Sequence, residues 1–376
     1  MNQRIPSLII CTAMLTACSI QTENLSVDWD VIQHLPQKNG QPHLGLAGPV
    51  AGMIGDKLWI AGGANFPQGM PWDGGAKAYP RDAYVYAWEE GKLNLVQSYE
   101  LDRSMAYTAN TSVDGSLYMA GGEGEEGAVA NVFRLRPDGQ MPQTDSLPSL
   151  PKPLTNGGLV ADNGALYFVG GENSEIVSDK IYKLALDGED TEWVEFLTLP
   201  YPITHAVVVG DQKGGVYIAG GRMRNTQAKS DMYDAVWKVD LGKQHVEQIS
   251  TLPQPLAAGT GLFLDDRLLI FGGDDASTFH QVEELIAQAS KMVAGAEQDS
   301  VIAQKNRLQR NHPGFPKSVW SLDLSSMEWQ QLQDLAGVSP VTTTAVLHGD
   351  VIFIPTGEMK AGVRTDQILV GKITRK

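Results

Sequence analysis

Short apolar runs, rich in β-branched and aromatic residues, recur along the chain, and each stops at glycine. Five are regular: Leu58–Ala61 before Gly62-Gly63, Leu117–Ala120 before Gly121-Gly122, Leu166–Val169 before Gly170-Gly171, Val216–Ala219 before Gly220-Gly221, and Leu268–Phe271 before Gly272-Gly273. A sixth, worn copy reads Ile352-Phe353-Ile354-Pro355-Thr356-Gly357. Runs of this length and composition, closed by glycine, predict β-strands that end in tight turns. The punctuation falls at positions 62, 121, 170, 220, 272 and 356, in steps of 59, 49, 50, 52 and 84.

A repeat of about 50 residues built on strands is the period of kelch-type propeller blades. One blade cannot bury its own faces, so the repeats predict one closed array rather than separate domains. A turn and an inner strand precede each punctuation, as at Leu150-Pro151, Leu199-Pro200 and Leu252-Pro253, with Leu101 and Leu335 as degenerate versions. A third strand follows it, as at Asp82–Tyr86, Ile181–Leu184, Val236–Asp240 and Val319–Asp323. A fourth, outer strand often holds Trp, as in Glu192-Trp193-Val194 and Glu328-Trp329-Gln330. The predicted fold is therefore all-β, a six-bladed kelch-type propeller. After Asp366–Ile373 the last blade has no outer strand, and Val27–Ile32, with Trp29 and the following Leu35-Pro36, resembles the missing one. Pairing the N- and C-terminal strands would close the ring and remove two sheet edges.

The long insertions, 64–80 in the first blade and 274–316 in the fifth, fall on the face that also holds the loops entering the inner strands. Val282, Leu285, Ile286, Ala289, Met292 and Val293 follow helical spacing, and a second helix is predicted from Asp299 to Arg310. This fifth-blade helical insertion, about 277–312, is read as a lid or an interface over the mouth, or as an ornament on the disc.

The formal charge of −15 argues against a nucleic-acid partner and gives an anionic ligand no long-range attraction. An anion site must then be built from a placed Arg or Lys. At the N-terminus, Arg4 precedes the apolar stretch Leu8–Leu15, and Leu15-Thr16-Ala17-Cys18 resembles a bacterial lipobox. That stretch is too short to span a bilayer. We expect a lipoprotein-type signal peptide at 1–17, a tether at 18–25 and the propeller at 26–376, with Cys18 lipidated. The expected location is the periplasmic side, at the outer membrane given Ser19, with the membrane touched only through the anchor. A plain cleaved signal peptide is the simpler alternative. Cys11 would leave with the signal peptide, so Cys18 would be the one remaining cysteine and no internal disulfide could form.

The seven histidines show no paired spacing and no metal site is expected. No nucleophile elbow and no phosphate-binding glycine loop is present. Glu123, Glu125 and Glu126 read as a solvated loop tip. The segment Gly357-Glu358-Met359-Lys360-Ala361-Gly362-Val363-Arg364-Thr365-Asp366 stands apart. Across its glycine turn a carboxylate and a guanidinium could converge on one ligand, Arg364 holding a carboxylate and Glu358 moving a proton. Read on spacing alone, the same residues also fit a structural Gly-Glu position and a strand-start ion pair.

Residues 357–366 resemble the Gly-Glu-x-Lys-x-Gly-x-Arg-Thr-Asp hallmark of bacterial N-acetylneuraminate epimerases, the sialic acid mutarotases, which are six-bladed kelch proteins. The hallmark lies mid-chain in that family and at the C-terminus here, while the N-terminal half, with Ala106-Tyr107 before Gly121-Gly122-Glu123, resembles the family's C-terminal half. The chain thus resembles a cyclically permuted mutarotase. The resemblance implies an isomerase without cofactor acting on an anionic sugar, N-acetylneuraminate or a related ulosonic acid. It implies Glu358 as proton acceptor and Arg364, Lys360, Arg103 and Tyr107 as substrate-binding residues. The family's Arg before Ala-Tyr is Met105 here, with Arg103 two residues earlier, and a family Pro-Arg-Asp turn reads Pro202-Ile203-Thr204-His205. The competing class is a non-enzymatic kelch module that binds a glycan or a protein. A sialidase would show Asp-box repeats, and a galactose-oxidase-like enzyme would need an internal Cys. Composition leaves open whether the chain forms a homodimer.

Overall fold

The computed structural model describes residues 25–139, 141–187 and 192–375, so Cys18 and the expected leader lie outside the described residues. The apolar runs are the second strands of six four-stranded antiparallel blades. From inner to outer strand, blade 1 is Val50–Ile54, Lys57–Ala61, Asp82–Glu89 and Lys92–Glu100; blade 2 is Ala109–Val113, Ser116–Ala120, Val132–Arg136 and Gln143–Leu147. Blade 3 is Gly158–Asp162, Ala165–Val169, Lys180–Ala185 and Val194–Thr198, and blade 4 is Val207–Gly210, Gly215–Ala219, Ala235–Asp240 and His245–Thr251. Blade 5 is Thr260–Leu264, Arg267–Phe271, Val319–Asp323 and Glu328–Gln331. Blade 6 takes Val346–His348, Val351–Lys360 and Val363–Arg375 from the C-terminus and Leu25–His34 from the N-terminus as its outer strand.

The runs are apolar throughout, without alternation, because each blade is covered on both faces. In blade 1, Leu58 and Ile60 pack toward blade 6 while Trp59 and Ala61 pack toward blade 2. Six hydrophobic clusters result among the described residues, one at each blade–blade interface. At the closure, Leu25 pairs with Arg375 and His34 with Gln367, and Leu25, Val27 and Trp29 are buried between blades 5 and 6. Trp29 meets Phe271 edge-on, ring centroids 5.7 Å apart. The tryptophans of the outer region tie blades together elsewhere too: Trp193 Nε1 donates to Pro148 O at 2.8 Å and Trp329 Nε1 to Thr251 O at 2.9 Å.

The paired glycines are the lock between blades. The second glycine's N–H donates to a carbonyl of the following blade's entry loop: Gly63 to Met105, Gly122 to Leu154, Gly171 to Ile203 and Gly221 to Leu256, at 2.7–2.9 Å. The first glycine sits against that same carbonyl at positive φ, and a Cβ on Gly121 would lie 2.2 Å from Leu154 O. The worn sixth copy keeps only the second glycine. There Gly357 N–H bonds to Leu46 O at 2.7 Å, and Thr356 is admitted because its hydroxyl accepts from Leu46 N–H at 2.8 Å. Gly121→Ala should therefore cost about 2–5 kcal/mol, combining left-handed backbone strain with overpacking. The check is thermal unfolding, with Gly139→Ala, where a Cβ meets nothing within 4 Å, as the milder change.

Two helices occupy the fifth-blade insertion, α1 at Phe279–Ser290 and α2 at Ala296–Arg310. The apolar spacing overran the first of them: α1 stops at Ser290, and Val293, 90% exposed, lies in the turn that reverses the chain into α2. α1 rests on blade 4, where the Ser230 hydroxyl and amide donate to Glu283 at 2.6 and 2.9 Å. α2 reaches the blade 1 insertion, with Asn306 Nδ2 donating to Trp72 O at 3.2 Å and Arg310 paired to Asp73. The insertion thus runs from blade 4 to blade 1 along the loop face.

Candidate functional site

Six equivalent residues, one per blade, encircle the axis where the chain enters each inner strand: Gly48, Tyr107, Asn156, His205, Ala258 and Thr342. All have φ between 51° and 60°. Their peptide groups form a closed circuit, each N–H donating to the carbonyl of its predecessor, from Tyr107 to Gly48 round to Gly48 to Thr342, at 2.7–3.0 Å. Below this ring lies an axial cavity of about 130 Å³, lined in part by Tyr107, Asn110, Asn156, His205, Thr260 and Thr344.

The residue preceding each ring member forms a two-way β-bridge with the residue that follows the glycine punctuation. The pairs are Ala47 with Ala64, Ala106 with Glu123, Thr155 with Glu172, Thr204 with Arg222, Ala257 with Asp274, and Val341 with Glu358. One fold position, repeated six times, therefore presents five ionisable side chains around the mouth.

In blade 6 the sequence puts Glu358 and Arg364 on either side of a turn, and the hairpin pairs them directly across two strands. Glu358 Oε2 lies 3.7 Å from Arg364 Nη2, and Glu358 Oε1 accepts the Gly362 N–H at 2.6 Å. The Arg364 side chain is 5% exposed and extends to blades 1 and 2. Its Nε donates to Ala64 O at 3.2 Å, its Nη2 approaches the Tyr107 hydroxyl at 3.4 Å, and its guanidinium stacks on Phe66 at 4.6 Å. Nη1 is buried and has no hydrogen-bond partner among the described residues. Leaving a charged donor unmatched in a buried position is costly, and such groups concentrate at functional sites. Burial pushes the Tyr107 hydroxyl up to about 12, opposed by Arg364 and reinforced by Glu358, so it remains a neutral donor at physiological pH. The hairpin tip is flanked by both insertions: a Cβ on Gly362 would lie 3.2 Å from Pro71 and Trp72, and one on Gly314 3.6 Å from Met359 O.

Glu358, Arg364 and Tyr107 are thus brought together. Lys360 stands at the hairpin end opposite Val363 and makes none of the contacts among those three. Arg103 is exposed and stacks on Phe133 at 4.8 Å, away from the Arg364 contacts. Met105 packs on the core between blades 1 and 2, and its carbonyl accepts from Gly63. Glu123 is no solvated tip: it accepts from Lys77 Nζ at 2.6 Å and from the Tyr79 hydroxyl at 2.8 Å, while Glu125 and Glu126 are exposed. Lys77 also lies 5.2 Å over the Tyr107 ring.

A further cluster escaped sequence reading. Glu172 accepts from Arg222 at 2.9 Å and lies 3.5 Å from His205 Nδ1. Burial, with the Arg222 charge, drives the His205 pKa well below its ordinary value, so the ring is neutral. Asp274 behaves oppositely: burial raises its pKa to about 6, with the Asp275 and Glu358 charges adding and the Ala276 N–H and His280 opposing. Aligning the residue after each glycine pair would have singled out Glu172, Arg222 and Asp274. Among the described residues no three His, Cys, Asp or Glu are grouped to hold a metal ion.

The mouth of this six-bladed kelch-type propeller thus holds a buried guanidinium beside a carboxylate and a phenol. The family model for N-acetylneuraminate epimerase matches residues 147–376, more than half of the chain, and the chain belongs to that family. Similar relatives include the N-acetylneuraminate epimerases of Brucella melitensis biotype 1, 35% identical over 123 residues (30% of this chain, 31% of the relative), and of Salmonella typhi, 26% over 156 residues (41% and 40%). That of Vibrio vulnificus is 34% identical over 105 residues (25% and 26%). The matches with these curated relatives thus span well under half of their length.

Proposed function

We propose that the protein is a sialic acid mutarotase, interconverting the α- and β-anomers of N-acetylneuraminate or a related ulosonic acid. The observation that supports this reading best is Arg364, a buried guanidinium with an unmatched Nη1, facing Glu358 and Tyr107 at the mouth. Guanidinium binds carboxylate bidentately, which suits a sugar whose carboxylate sits on the anomeric carbon. In a protein of formal charge −15 that cation has to be local. Glu358, fixed by the Gly362 N–H, removes the proton of the anomeric hydroxyl as the ring opens. It returns the proton when the ring closes on the other face. Tyr107 offers a neutral donor beside the carboxylate.

Anomer exchange of N-acetylneuraminate followed by NMR, with and without protein, tests the reading. Exchange accelerated in proportion to protein supports it; tight binding without acceleration would put a sugar-binding module in its place.

The same proposal places the protein on the periplasmic side, anchored by lipid on Cys18. Cys18→Ala should move it from membrane to soluble fractions with an unchanged melting temperature, because one acyl-bearing residue acts outside the propeller. Wild-type protein found soluble, with its N-terminus elsewhere than Cys18, would contradict the anchor.

A further inference from the structure

Ring opening moves two protons, one off the anomeric hydroxyl and one onto the ring oxygen, and Glu358 accounts for the first. The question is which group handles the second.

Four ionisable residues besides Glu358 occupy the position after the glycine punctuation. Glu123 is taken by Lys77 and Tyr79, and Glu172 and Arg222 hold each other. Asp274 is left. It is half-buried, its Oδ1 accepts one N–H, from Ala276 at 2.8 Å, and it forms no ion pair with a Lys or Arg among the described contacts. Its place is next to that of Glu358. Asp274 is bridged to Ala257 and Glu358 to Val341, and the ring residues that follow these, Ala258 and Thr342, are bonded directly, Thr342 N–H to Ala258 O at 2.9 Å. The two carboxyls therefore stand on neighbouring blades on one side of the mouth, close enough for the charge on Glu358 to resist ionisation of Asp274.

We infer that Asp274 is the second acid/base group of this site, exchanging a proton with the sugar's ring oxygen; the inference rests on the mutarotase reading above. As the ring opens, Glu358 takes the anomeric hydroxyl proton and that oxygen becomes the carbonyl oxygen. The bond from anomeric carbon to ring oxygen breaks with its electron pair on the ring oxygen, which takes the Asp274 proton. After rotation the released hydroxyl adds to the other carbonyl face and returns its proton to Asp274, while Glu358 returns the other. Nothing is consumed. Burial favours the acid form of Asp274, and a neighbouring pair of carboxyls of which one is held as the acid is a usual arrangement for acid/base work. The charged and titratable groups facing Asp274 are Asp275 on its own loop, His280 on α1 and Glu358 on blade 6, with His312 and Lys360 beyond Asp275.

The test is Asp274→Asn, which keeps the acceptor for the Ala276 N–H and removes only the proton. Wild-type kcat/KM, corrected for the protein-free rate, should fall as pH rises through about 6, because the acid form of Asp274 is then lost. In Asp274→Asn turnover should drop by roughly 10²–10⁴-fold, sugar affinity should hold, and that limb should vanish. Folding is followed by circular dichroism, and Asp274→Ser, which also accepts from Ala276, replaces the Asn variant if it does not fold. A variant that exchanges anomers within a few-fold of wild type, or that loses rate while keeping the limb, would overturn the assignment with the mutarotase reading intact. Wild-type protein that accelerates no exchange would overturn both.

Discussion

Deletion of residues 25–36 should leave a protein that no longer melts cooperatively and that aggregates on expression. The segment supplies the outer strand of blade 6 and three side chains, Leu25, Val27 and Trp29, to the interface of blades 5 and 6. Its loss uncovers an edge of the long strand Val363–Arg375, a template for intermolecular pairing. Trp29→Ala alone should cost about 3–5 kcal/mol, a large part of the 5–15 kcal/mol by which domains are commonly stable. Removing residues 19–23, which the sequence places in the tether, should leave the melting temperature unchanged. A soluble, cooperatively melting protein without residues 25–36 would refute closure by this strand.

At the mouth, Glu358→Gln should lower turnover by roughly 10²–10⁴-fold with little change in sugar binding, since the amide keeps the acceptor for Gly362 N–H but cannot take a proton. Arg364→Ala should act mainly on affinity, weakening it by roughly 10–100-fold, the range expected for loss of a charge-assisted hydrogen-bond pair. Glu123→Gln is the internal control: it occupies the same fold position but is already bound to Lys77 and Tyr79, and should change turnover less. Anomer exchange at the wild-type rate in Glu358→Gln would remove Glu358 as the base.

The propeller was legible because one physical constraint recurs. A Cβ at Gly62, Gly121, Gly170 or Gly220 would strike the next blade's carbonyl and one at Gly272 the Ser339 hydroxyl, so the chain shows glycine there, and the outlier Thr356 survives through its own hydroxyl bonds. The closing strand was legible through Trp29. The Glu358–Arg364 pair could be seen because both lie in one hairpin, but their role was suggested by resemblance and not by spacing. Arg103 shows the limit of that approach: its nearness in sequence to Tyr107 says nothing of direction, and it turns outward onto Phe133. Glu172 and Arg222 hold the same repeat position in blades 3 and 4 and His205 a ring position, so only a blade-by-blade alignment links them, while Lys77 comes from an irregular insertion outside the repeat. Met292 and Val293 kept helical spacing where the chain needed a turn.

The ring of six peptide groups has an electrostatic consequence. In a helix, aligned peptides add to a macrodipole, and the N-terminus attracts anions. Around the mouth the same groups point head to tail along a closed circle, so their moments cancel. The ring offers no pole to either sign of charge. The charge of this face comes from side chains, those at the six repeat positions together with Arg364, and could be altered one blade at a time without disturbing the circle beneath.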